Sequence, residues 1–350
     1  MSLPVPDTLA EVLDPTWLSE ALGQRYPGIA VRSVEPEPVV SRVSTNARFR
    51  MQCDEMPPGL PSELCVKGYF ADCSEGGPAS RSAGIPEALF YRHLAATCGV
   101  RTLECFYVDI DATTNHGVII TGDVAADGAT FLDSLSPYTP DQVAESLEQY
   151  AILHGRTWRM NRTNETWLTP RLDMTMRARG LPEINGNFEG PIGSLVPEDV
   201  RDGERLLEAV RRLASDSRDV EVGCLLHGDA HVGNIYLNGE RETCLVDWQL
   251  VQRGPWYLDV GYHIGCTLSP DERQKNESEL LAHYLDRLRA EGADAPSWDE
   301  AWNSIGAGMV YGFFLWAITL KVAPPITTAM LERLGGAVSD HQALSSTVIS

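Results

Sequence analysis

The stretch LLHGDAHVGNIYL, Leu225 to Leu237, sets two histidines, an aspartate, an asparagine and two glycines between two apolar runs. Leu225-Leu226 and Ile235-Tyr236-Leu237 have the character of buried strand ends. The polar residues between them therefore belong on a loop that a sheet delivers to a cleft.

The spacing from His227 through Asp229 to Asn234 is H-x-D-x-x-x-x-N, the pattern of a loop built for phosphoryl transfer. That chemistry needs an Asp to orient a hydroxyl and accept its proton, and an Asn oxygen to hold a Mg²⁺ that bridges nucleotide phosphates. A further hard oxygen ligand is expected from the next strand, and Cys244-Leu245-Val246-Asp247 supplies it. Asn238-Gly239 between two apolar runs predicts a hairpin that returns Asp247 to the end holding Asp229 and Asn234.

HGDxHxGN followed by an apolar strand and Asp247-Trp248 is similar to the aminoglycoside phosphotransferase-like family, with its choline kinase-like relatives and two-lobed protein-kinase-like fold. The resemblance runs from about Leu225 to Asp259 and is diffuse elsewhere. It implies Asp229 as the catalytic Asp and Asn234 and Asp247 as Mg²⁺ ligands. It also implies Asp259 as the acidic residue that steadies the loop. Lys67, a lone charge within the apolar run LCVKGYF, is costly unless paired. Glu87 lies on the inward face of a helix beginning near Pro86, so an ion pair between them is expected, with Lys67 gripping the phosphates as the lysine of kinases does. GVIITGDV resembles the strand entering the family's hinge, with Asp123 and Val124 expected to meet the adenine. The phosphate-covering loop is expected at Ser41 to Asn46, with Ser44, Thr45 and Asn46 as contacts.

His227 and His231 are read as hydrogen-bonding braces of the loop, against an alternative in which His-x-Asp-x-His ligates a metal. Asp229 and Asn234 have an ordinary alternative as turn residues, and Asp259 as a helix cap. His154, on an apolar stripe, is read as a satisfied core histidine.

A chain of 350 residues is comfortable for two lobes. The first third reads as strands and one helix, which gives an α+β N-lobe to about residue 123. From residue 124 the pattern is mostly helical, opening with a capping box at Thr139-Pro140-Asp141-Gln142. Residues 161 to 193 read as irregular and form a candidate substrate lid. Ala301 to Leu320 carry no charge and are read as a core helix rather than a membrane span, because Gly, Asn and Ser interrupt them and basic flanks are missing.

A formal net charge of −21 argues against nucleic acid or an anionic membrane as partner and is compatible with a cationic substrate. The eight cysteines form no CxxC motif and are expected as reduced thiols in a cytoplasmic protein. The expected activity is transfer of the γ-phosphoryl group of ATP or GTP, with Mg²⁺, to a hydroxyl of a small molecule. A nucleotide-binding pseudokinase and a metal-dependent hydrolase stay open as alternatives.

Overall fold

The computed structural model describes residues 3–41, 44–73, 78–160, 166–218 and 223–345, and in its N-terminal part β-branched and aromatic residues alternating with polar ones build a sheet. Two short helices come first, α1 (Leu9–Val12) and α2 (Pro15–Gly23). Then follow β1 (Val31–Ser41), β2 (Thr45–Cys53), β3 (Glu63–Gly68), α3 (Ile85–His93), β4 (Cys105–Asp111) and β5 (His116–Gly122). The five strands form one antiparallel sheet in the order β1-β2-β3-β5-β4. Ala47, Phe49, Met51, Leu64, Val66, Val118 and Ile120 fill one face, and Leu18 and Leu22 of α2 cover it. By the two-residue period of a strand, Asn46, Arg48, Cys65 and Lys67 occupy the other face.

The two opening helices correct the expectation of strands. Their signals are local: Thr8 and Glu11 form a capping box, and the Asp14 side chain caps α2 with Pro15 in its first turn.

The rest of the chain is mainly helical. β6 (Thr130–Phe131) is followed by α4 (Pro140–Arg156), α5 (Leu172–Ala178), α6 (Leu181–Glu189) and α7 (Gly203–Arg218). β7 (Cys224–Leu226), β8 (Ile235–Leu237), β9 (Thr243–Leu245) and β10 (Gln252–Gly254) lead into α8 (Tyr257–Thr267), α9 (Pro270–Ala290), α10 (Trp298–Ala317) and α11 (Pro324–Asp340). The Thr139 capping box forms as read, with Thr139 and Gln142 exchanging side-chain and backbone hydrogen bonds. Residues 172 to 189 are not irregular: they hold α5 and α6, clipped to the end of α10 by Arg179 and Asn187 on the carbonyls of Ile318, Ala317 and Thr319. The start of the expected lid, residues 161 to 165, lies outside the described residues.

The uncharged segment is α10, and it packs against α8 through glycine. A Cβ on Gly308 would stand 1.9 Å from the Tyr257 carbonyl oxygen, and one on Gly261 2.1 Å from that of Ile305. Only glycine lets the two backbones approach this closely. Among the described residues no helix is long and apolar enough to cross a membrane.

Candidate active site

The hairpin after the polar loop pairs Ile235 with Leu245 and Leu237 with Thr243. Its connection is five residues long, Asn238 to Glu242, rather than a two-residue Asn-Gly turn. Asn238 spends its side-chain oxygen on the amides of Glu240 and Glu242, and Arg241 takes the left-handed conformation at φ 66°. The register still delivers Asp247 beside Asn234, because the Val246 amide donates to the Asn234 carbonyl at 3.0 Å.

Asp247 sits at φ 65°, ψ 67°, a left-handed position that costs a non-glycine residue free energy and is held by its surroundings. Next to it, Trp248 stacks on Phe90 of α3 at 3.8 Å between centroids, and its indole N–H donates to Thr102. The same helix carries Glu87. Lys67 Nζ is 2.7 Å from Glu87 Oε2 and 3.0 Å from Asp247 Oδ1, so one ammonium joins the sheet, the helix and the hairpin. Because β3 lies between β2 and β5, Lys67 has no sheet edge from which to reach water. Burial pulls its pKa down, but Asp247 and Glu87 outweigh that and hold it above the ordinary lysine value. Burial raises the carboxyl of Glu87, with the Lys67 charge opposing.

Asp229 is held from several directions. The Asn234 side-chain amide donates to the Asp229 carbonyl at 2.9 Å, which turns the Asn234 side-chain oxygen away from that contact. Tyr262 donates to Asp229 Oδ1 at 3.3 Å, and His231 Nε2 lies 3.6 Å from Oδ2. Burial pushes the Asp229 carboxyl up; the charge and hydrogen bonding of His231, with His227 and Asn234 assisting, outweigh it and leave the group below its ordinary value.

Both loop histidines are braces. His227 Nδ1 accepts the Asp229 amide and Nε2 donates to the Val246 carbonyl at 2.9 Å, which fixes its tautomer. His231 Nδ1 accepts the Gly233 amide. Asp259, fully buried on α8, accepts the amides of His227 at 2.7 Å and Gly228 at 2.9 Å, and the Nε2 of His154 at 3.2 Å. His154 Nδ1 is answered by Tyr284.

Other expected contacts fall elsewhere. Thr45 and Asn46 are not loop residues but begin β2, opposite Gly68 and Lys67. Thr45 is fully buried and Ser44 is 5% exposed, so neither hydroxyl stands open to a phosphate as expected. Residues 42 and 43 of that loop lie outside the described residues. The Asp123 carboxylate is taken by Arg48 at 2.6 Å and by the Ala125 amide. The Asp123 amide also donates to the Glu63 carbonyl at 3.1 Å, and the carbonyls of Asp123 and Val124 accept the amides of Ala126 and of Asp127 and Ala129, so these backbone groups are engaged in the turn that follows β5.

Four residues that sequence reasoning missed support the loop. Trp316 Nε1 donates to the Tyr262 hydroxyl at 2.6 Å. Tyr311 donates to the Gly228 carbonyl at 2.6 Å and accepts from Gln252 Nε2 at 3.0 Å. Polar-tipped aromatics on a buried helix need partners, and that was the available signal.

This arrangement lies on a known framework. A protein of Ralstonia eutropha JMP134 described as an aminoglycoside phosphotransferase superposes with TM-score 0.53 at 14% identity, over 93% of this chain and 97% of that one. Plasmodium vivax ethanolamine kinase gives 0.52 at 12% identity, over 87% and 81%. The chain has the protein-kinase-like fold of the aminoglycoside phosphotransferase-like proteins. An aminoglycoside 2'-phosphotransferase-IIIa variant in complex with GDP shares this fold with TM-score 0.50 at 13% identity, over 94% and 95%. Residues 198–294, which contain the loop, the hairpin and Asp259, match the ecdysteroid kinase-like family. No curated protein matches the chain by sequence.

Proposed function

We propose that the chain is a small-molecule kinase that transfers the γ-phosphoryl group of ATP or GTP to an alcohol hydroxyl. The observation that carries this reading is the bridge from Lys67 to Glu87 and Asp247, standing beside a loop that presents Asp229 and Asn234. A phosphate-gripping cation, an acceptor-orienting carboxylate and oxygen ligands for a divalent cation are the parts phosphoryl transfer requires.

The residues present fit Mg²⁺. Asn234 donates through its nitrogen and so keeps its side-chain oxygen for another partner. Asp247 uses only Oδ1 on Lys67, and its side chain is 41% exposed. Asn234 and Asp247 would hold the ion, which when bound neutralises phosphate charge. Lys67 would hold the α and β phosphates, and Asp229, kept ionised, would orient the acceptor hydroxyl and take its proton. Catalysis of this kind is mostly positioning and charge stabilisation. The relatives named above share an alcohol acceptor, and the acceptor here is assigned to that class.

The test is a thermal-shift titration of ATP and GTP, each with and without Mg²⁺, on the wild type and Asp247→Ala. A Mg²⁺-dependent rise in melting temperature that is lost in Asp247→Ala supports the reading. No rise at millimolar Mg-nucleotide counts against it.

A further inference from the structure

Arg171 precedes α5, in the segment clipped to the end of α10. Like it, Arg273 and Arg287 bury an Nε without a partner, but each keeps an ion pair to a carboxylate, as several other arginines do. Arg48 meets Asp123, Arg81 meets Asp7, Arg92 meets Asp109, Arg101 meets Glu145, and Arg273 meets Glu277 and Asp340. Arg333 reaches three backbone carbonyls. The Arg171 side chain, by contrast, makes no ion pair or hydrogen bond with any described residue, and its Nε is buried without a partner. Burial holds its pKa below the ordinary arginine value. The residue is half-buried, and the Nε N–H is the donor shut from water without an acceptor, which costs the fold free energy that an apolar group in its place would not.

Its place is fixed relative to the reactive loop. The Arg171 amide donates to Gln252 Oε1 at 2.9 Å, which orients that side-chain amide so that Nε2 donates to Tyr311. Tyr311 in turn donates to the Gly228 carbonyl, one residue before Asp229. The Tyr311 and Tyr262 rings are 6.1 Å apart, and the Tyr262 hydroxyl rests on Asp229. The Arg171 backbone is thus tied through β10 and α10 to the loop that carries Asp229, and its guanidinium charge interacts with the Tyr311 hydroxyl of that network, whereas Lys67 reaches the site from the N-terminal sheet.

We propose that Arg171 is the anion-binding residue of the acceptor pocket, so that the alcohol presented to Asp229 carries a carboxylate, sulfate or phosphate group. This rests on the phosphotransferase reading. The planar guanidinium matches the paired oxygens of such a group. In a chain of net charge −21, an acidic substrate needs a local cation of this kind. A cationic acceptor, which the overall charge would suit, gains nothing from it.

The test uses the full chain and inorganic sulfate as probe, at low millimolar concentration, against chloride at equal ionic strength. Wild type, Arg171→Met and Arg171→Lys are compared by thermal shift. Sulfate is expected to raise the wild-type midpoint, to do so again with saturating Mg-ADP, and to leave Arg171→Met unmoved. Arg171→Lys keeps the charge without the fork and is expected to respond less than wild type. Arg171→Met in chloride should melt no lower than wild type and keep the wild-type Mg-nucleotide shift. Equal wild-type midpoints in sulfate and chloride, or an unchanged sulfate response in Arg171→Met, overturn the inference.

If Arg171→Met instead loses the preference for Mg-ATP over Mg-ADP, the oxyanion is the γ-phosphate and the acceptor assignment is overturned. An Arg171-dependent sulfate shift without any Mg-nucleotide shift would keep the anion site and remove the kinase reading. Phosphate transfer to hydroxy acids or sugar phosphates supports the acceptor class. Transfer confined to amino alcohols overturns it.

Discussion

Trp316 donates its indole N–H to the hydroxyl of Tyr262 at 2.6 Å. An indole nitrogen cannot accept, so the Tyr262 proton is left to point at Asp229 Oδ1, 3.3 Å away. Polarity is therefore set from α10 through α8 to the carboxylate. Tyr262→Phe should lower turnover by about 10-fold or more, from the ~1.5–3 kcal/mol of a hydrogen bond to a charged group. The Km for nucleotide should stay near wild type. Trp316→Phe, which frees the hydroxyl to rotate, should give a smaller loss. Steady-state kinetics on an identified acceptor would check both, and equal turnover in Tyr262→Phe and wild type would remove the role.

Asp229 and Asp247 should separate binding from chemistry. Asp229→Asn keeps the loop's shape but removes the proton acceptor. Mg-nucleotide affinity should remain within about 3-fold of wild type while turnover falls by roughly 100-fold or more. Asp247→Ala should weaken the nucleotide itself. Calorimetry with Mg-ATP, beside a phosphate-transfer assay, distinguishes the two patterns.

Asp259 holds the amides of His227 and Gly228 and the imidazole of His154 from a fully buried position. Asp259→Ala leaves three buried donors unanswered, at ~1–3 kcal/mol for each such group. A loss of several kcal/mol is expected by urea denaturation, with lost activity following from the freed loop. Asp259→Asn should lose less, since one amide oxygen can still accept.

Acid should destabilise the fold in a defined window. Burial lowers the pKa of both His263 and His116 to about 4, below the ~6.5 of an unfolded chain. Between those values the unfolded state binds more protons. Stability is therefore retained above about pH 6.5 and falls as the pH drops toward 4, by ~1.4 kcal/mol per unit for each group. Denaturation curves from pH 7 to 4.5 should show this slope, and His263→Gln should reduce it.

What the sequence disclosed and what it withheld follow from distance along the chain. The span from His227 to Asp259 was legible because its chemistry needs fixed residue types at short spacing. The Thr139 capping box was legible because it closes within one turn. Lys67 was traced through the cost of an unpaired charge in an apolar strand. The α5 and α6 helices were missed because they are short, flanked or interrupted by Gly and Pro, and held by contacts to the end of α10 and the residues after it, 130 or more residues away. Gln252 and Arg171 gave no local pattern, and the hydroxyls of Tyr262 and Tyr311 signalled only that each needs a partner, which it acquires when α8, α10 and β10 pack. The buried position of Thr45 depends on where β2 starts, which its hydroxyl-rich neighbourhood concealed.

The glycine contact between α8 and α10 also sets a tolerance on chemistry. α8 carries Asp259 and Tyr262, and α10 carries Tyr311 and Trp316, so the gap at Gly261 and Gly308 determines whether four supports meet one loop. A single added methyl at Gly308, which would stand 1.9 Å from the Tyr257 carbonyl oxygen, must spread the helices and draw those hydroxyls off their acceptors. The molecule can thus be disarmed by a substitution that alters no side chain facing either substrate.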